Sequence, residues 1–151
     1  MMVTRTTPKR VLVQHQQMTL LALVVDYSSE TVQLVGAHTI DVPIITLDQL
    51  VETSAPLPEM VKIDAEGFDL KVIAGASKLL GRTDIFILEA TVCAPNLENT
   101  LENVLTTMSR ADYRPIDIPA VNPSPKYGFA WLCDVAFLRN DSPLLSEMSY
   151  E

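Results

Sequence analysis

The chain has 151 residues, 48% hydrophobic and 20% charged, a composition that fits one globular domain and excludes a wholly disordered, collagenous or coiled-coil chain. Eleven Lys and Arg stand against 19 Asp and Glu, a net charge of −8, so there are too few cations to build a face against duplex nucleic acid or an anionic membrane. Three of those cations, Arg5, Lys9 and Arg10, and none of the acids fall in residues 1–25.

Residues 1–19 are polar and read as a poorly ordered lead-in, in which Val11, Leu12 and Val13 make a short strand at best. Residues 20–26 form a continuous apolar run ending in Asp26, the pattern of a strand covered on both faces. Residues 27–30 are turn-like. Residues 31–35 alternate as a second strand, closed by Gly36. Residues 40–45 are β-branched around Pro43, which suits an edge strand or an extended link. Thr46 opens a helix to about Thr53. Gln49, three residues on, completes a capping box, and Pro56 and Pro58 stop the helix.

The segment MVKIDAEG, residues 60–67, is a short apolar strand that ends in acids and a glycine. The spacing of Val72, Ile73, Ala76, Leu79 and Leu80 predicts a helix over 68–80, with Gly81 as its C-terminal cap. Residues 84–90 are another buried-type strand. Pro95 and Asn96 introduce a helix whose apolar face is Leu97, Leu101, Val104, Leu105 and Met108, ending at Ala111 and Asp112. A strand at 113–118, a loop at 119–128, a last strand at 131–138 and a polar tail complete the chain. Alternating strands and helices predict an α/β fold with a three-layer, mostly parallel sheet. The final pair, joined without a helix, places an antiparallel strand at or near one edge.

In an open α/β sheet, ligands sit outside the carboxyl ends of the strands. Here one strand ends at Asp64 and Glu66, before Gly67, and the next ends at Glu89. Neighbouring strands lie about 4.8 Å apart. If these two are neighbours, three carboxylates crowd one rim, able to hold a cation or a polar substrate, or to act as general base once repulsion raises one pKa. The plainer alternative is that these acids cap the following helices, worth about 0.3–1 kcal/mol each without any function. Gly67 suits a positive φ or a close backbone approach. Lys62, two residues before Asp64 and on the same strand face, pairs with Asp64 or Glu66 or reaches the sheet edge.

Other candidates are weaker. His15 and His38 read as solvated. Cys93 has no histidine near it in sequence and reads as a buried inert thiol. Cys93 and Cys133 do not make a disulfide framework. None of the five glycines, at 36, 67, 75, 81 and 128, stands in a dinucleotide or P-loop pattern. No run approaches the ~18 apolar residues of a membrane span. Residues 18–25 faintly resemble a signal peptide, but Asp26 and Tyr27 follow with no small-residue cleavage site. The expectation is a soluble cytoplasmic protein.

The segment VKIDAEGFDLKVIAGASKLL resembles the FkbM family of S-adenosylmethionine-dependent methyltransferases. The matching positions are Lys62, Ile63, Asp64, Glu66, Gly67, Asp69, Val72, Ile73, Gly75 and Ala76, supported by Thr46, Leu47, Asp48 and Leu50, by the strand ending at Glu89, and by Asp134 and Phe137. The resemblance covers residues 40–140. It implies a Rossmann-like class I methyltransferase fold, S-adenosylmethionine as methyl donor, and the hydroxyl of a small molecule or sugar as acceptor. Asp64 and Glu66 are then the catalytic candidates, Asp64 also a candidate for the cofactor, and Lys62, Gly67 and Glu89 the rim of the active site.

The family's glycine-rich cofactor loop and the N-terminal strands around it have no counterpart here. The expectation is a C-terminal half domain over 20–140, with a polar tail at 141–151, inactive alone. The alternative is a non-catalytic remnant or interaction module that pairs, as a homo-oligomer, through an open sheet edge. A divalent cation held by Asp64, Glu66 and Glu89 is a further alternative. Calcium-loop spacing is absent, so no metal is expected.

Overall fold

The computed structural model describes residues 9–15, 18–24, 45–52, 56–93 and 97–148. Its capping box is formed as the sequence requires. The Thr46 hydroxyl accepts the Gln49 N–H at 3.1 Å, and the Gln49 side-chain oxygen accepts the Thr46 N–H at 2.9 Å, opening helix α1, Leu47–Glu52. Replacing Thr46 by valine keeps the shape and deletes the acceptor. We expect a loss of about 1 kcal/mol, read from the denaturant midpoint; an unchanged midpoint would deny the cap any energetic role.

Six strands form one mixed sheet. They are β1 (Lys9–His15), β2 (Met18–Val24), β3 (Met60–Asp64), β4 (Ile85–Thr91), β5 (Tyr113–Pro123) and β6 (Ala130–Arg139), in the spatial order β1-β2-β3-β4-β6-β5. Strands β2, β3 and β4 run parallel, and β1, β6 and β5 join antiparallel to their neighbours. The period of two sorts the side chains. Val61 and Ile63 of β3, Phe86, Leu88 and Ala90 of β4, and Cys133, Val135 and Phe137 of β6 are buried in one cluster. Leu47 of α1, Ile73 of α2 (Asp69–Ala74), and Val104 and Met108 of α3 (Leu101–Arg110) complete it. Phe86 meets the ring of Tyr113 edge-on, with centroids 5.3 Å apart.

All three described α-helices therefore cover one sheet face, and the described residues make two layers where three were expected. The reason is handedness. Right-handed crossovers that keep advancing across a sheet in the same direction leave their helices on the same side. Lys62, Asp64, Ile85, Ile87, Glu89 and Asp134 alternate onto the other face and stay partly accessible.

Several boundaries differ from the sequence reading. Strand β1 lies within the expected lead-in. Helix α2 stops at Ala74 rather than at residue 80, because α1 docks there: the Gly75 carbonyl accepts the Asp48 N–H at 3.0 Å. A Cβ on Gly75 would stand 3.2 Å from the Thr46 side chain. The chain continues in turns that still bury Ala76 and Leu79. Helix α3 begins after its cap Thr100, not at Pro95, since residue 99 is held beside β4 by the bond from the Thr91 N–H to the Asn99 carbonyl, 2.9 Å. Leu97 is accordingly exposed.

Strand β5 runs on to Pro123 through part of the expected loop, and its prolines are tolerated because it is a bulged edge strand. The tail contains a short 3-10 helix, Pro143–Glu147. The first strand expected, at 20–26, is not an edge strand: β1 and β3 flank β2, and the outer strands are β1 and β5. The strand expected at 31–35, the segment 40–44 and His38 lie outside the described residues. No helix among the described residues is long and apolar enough to cross a membrane.

Candidate functional site

Register brings the singled-out acids together. Strands β3 and β4 pair through Ile63 and Leu88, so Asp64 and Glu89 are the next residues along, side by side at the carboxyl ends of two parallel strands. Across β4, Glu89 lies directly opposite Asp134 of β6. Three carboxylates from three adjacent strands thus share one sheet face at one rim. Lys62 is placed among them: its Nζ donates to Asp134 Oδ2 at 2.6 Å and lies 3.8 Å from Asp64 Oδ2. Partial burial pulls the Lys62 ammonium down, but the hydrogen bond and charge of Asp134, then the charges of Asp64 and Glu89, outweigh it and raise its pKa.

The loop after β3 is a tight turn. Phe68 N–H returns to the Ala65 carbonyl at 3.0 Å, and both central residues have positive φ, Glu66 at 49° and Gly67 at 88°. That is the requirement of a type I′ turn. Gly67 meets it freely, as expected of it. Glu66 occupies the left-handed region with a side chain, at a cost on the order of 1–2 kcal/mol. The turn keeps Glu66 exposed, and its charge reaches Glu89.

Glu89 is the electrostatic focus. Burial, then the charges of Asp64, Asp69, Glu66 and Asp134, push its carboxyl up to about 7. Asp69, fully buried at the start of α2, is raised to about 6 by burial and by Asp64, against the pull of the backbone N–H groups of Glu89, Asp69 and Ala65. A carboxyl that titrates near neutrality, beside charged partners, has the protonation range of a general base.

The structure therefore gathers Lys62, Asp64 and Glu89 as the sequence suggested, and leaves Glu66 and Gly67 on the adjoining turn. Among the described residues no group of His, Cys, Asp and Glu is arranged to hold a metal ion. The cation among the carboxylates is the Lys62 ammonium. Asp69 and Asp134 entered the sequence reading only as positions of the family resemblance, and Asn99 escaped it. Asp134 carried a usable signal, a lone charge in an apolar run at the parity opposite to the buried Cys133 and Val135. Asn99 carried none. Cys93 also differs from expectation: it is exposed, two residues beyond β4, and Cys133 is the buried thiol.

Residues 8–115 fit the family model described as the methyltransferase FkbM domain. No curated protein and no solved structure matches the chain.

Proposed function

Because the chain belongs to the FkbM methyltransferase family, we propose that the rim of β3, β4 and β6 is the acceptor side of an S-adenosylmethionine-dependent O-methyltransferase with a Rossmann-like sheet. The acceptor is the hydroxyl of a small molecule or a sugar. The observation that carries this reading is the placement of Glu89, with its carboxyl near 7, between Asp64 and Asp134 at the ends of parallel strands. When bound, S-adenosylmethionine supplies a methyl group already activated by its sulfonium. Positioning is then the protein's main task.

The donor set suits the positive end of that cofactor, since carboxylates attract a sulfonium and accept from an ammonium or from hydroxyls. Asp64 and Glu66 would hold that end. Glu89 would accept the hydroxyl proton of the acceptor, and Lys62 would hold the Asp134 and Asp64 carboxylates in place on either side of it. The free thiols Cys93 and Cys133 suit the reducing conditions of the cytoplasm.

Calorimetric titration of the chain with S-adenosylhomocysteine tests the proposal. Micromolar affinity, about −8 kcal/mol, is the expected result. A folded chain that takes up no S-adenosylhomocysteine overturns it.

A further inference from the structure

Building on Glu89 as the proton acceptor, we infer that Asp69 and Asn99 are positioning residues that grip Glu89 by its own backbone, Asp69 adding a negative charge beside it. In a strand, the N–H and C=O of one residue point to the same side. Those of Glu89 point toward β3, but the β3–β4 ladder ends at Ile63 and Leu88, because β3 has turned away at Ala65. The Glu89 carbonyl therefore lies one residue past its natural strand partner. A buried side-chain pair replaces the missing strand.

Asp69 Oδ1 accepts the Glu89 N–H at 3.1 Å, and Asn99 Nδ2 donates to the Glu89 carbonyl at 2.8 Å. The same Nδ2 reaches Asp69 Oδ2 at 3.3 Å, and Asn99 Oδ1 accepts the Leu70 N–H at 3.3 Å. Asp69 is 0% and Asn99 1% exposed. One link thus joins the first turn of α2, the end of β4 and the chain entering α3.

Water or a neutral side chain would satisfy the same backbone groups. A buried carboxylate is costly, and what it adds is negative charge beside Glu89. The charged groups around Glu89 are Lys62 and Asp64 from β3, Glu66 from the turn, Asp69 from α2 and Asp134 from β6. Asp69 is the member that combines backbone contact with charge.

The test is carboxyl-detected NMR titration of the whole chain, with amide hydrogen exchange on the same samples. Asp69→Asn keeps an acceptor for the Glu89 N–H and deletes the charge. The Glu89 midpoint should fall by about one pH unit. Asn99→Ser leaves the charge and releases the Glu89 carbonyl. Protection of the Glu89 amide should drop about tenfold, with Val104 and Met108 unchanged. A folded Asp69→Asn with an unmoved Glu89 midpoint overturns the inference, and so does Asn99→Ser with an unmoved Glu89 amide. Should Asp69→Asn not fold, the serine variant decides. Neither readout needs methyl transfer or cofactor, so a chain that takes up no S-adenosylhomocysteine overturns the proposed function while the titration still reports on the clamp.

Discussion

Glu89→Gln is expected to abolish most activity while making the protein more stable at neutral pH. Loss of a positioned base typically lowers kcat by about 10²–10⁴-fold. Stability moves the other way because of where the proton binds. The carboxyl has an ordinary value of 4.5 and titrates at about 7 in the fold. Between those two values the folded chain keeps a proton that the unfolded chain has released, so stability falls as pH climbs through that window. The contribution is fully present below 4.5 and gone above about 7.

Glutamine is neutral throughout. The two proteins should therefore melt together at acid pH and diverge toward pH 8, with the variant higher. Solvent screening of this partly accessible group reduces the effect to about 1–2 kcal/mol, roughly 2–8 °C in Tm. Melting curves at pH 4.5 and pH 8 read it directly. A variant less stable than wild type at pH 8 would show that Glu89 is a structural carboxylate, stabilised rather than strained by its setting.

Lys62→Met should have the largest destabilising effect at the site, about 1–3 kcal/mol at pH 7.5. The direct pairing with Asp134 is lost, and Asp64, Glu89 and Asp134 then face one another without their cation. Because Lys62 is raised above its ordinary 10.5, its contribution is intact through the neutral range, fades as pH rises past 10.5 and is gone above the raised value. The pair is partly accessible, with side-chain exposures of 31% and 17%, which holds the expected cost below that of a deeply buried ion pair. Asp134→Leu in the same background should recover much of the loss, since it removes the orphaned charge and adds apolar surface beside Ile87 and Ala136. A double-mutant cycle by chemical denaturation measures the coupling. Strictly additive costs would mean that Lys62 and Asp134 do not stabilise one another, and the central cation would lose its assigned role.

Much of this site was legible in one dimension. The run ending Lys62-Ile63-Asp64 alternates, so the parity of its charged members could be read directly. Gly67 announced the positive φ of the turn. Thr46 and Gln49 defined a helix start through two local hydrogen bonds, and the family resemblance followed from residues clustered in one stretch. These features depend on contacts within a few residues, where spacing alone sets the geometry.

The rest was decided by contacts between distant segments. Asp134 meets Lys62 across 72 residues of chain, and Asn99 meets Asp69 across 30. Neither pair has a spacing rule, because each exists only once strand order and register are set. The early stop of α2 has the same origin: the apolar stripe continues past Ala74, but the docking of Thr46 and Asp48 on Gly75 outweighs the local preference for helix. The placement of all three described α-helices on one face follows from crossover handedness. The sequence determined which residues could carry charge, turn or cap. The tertiary structure decided which carboxyl would bear the strain, because a pKa is raised by the neighbours that burial imposes, and for Glu89 those neighbours come from β3, its following turn, α2 and β6.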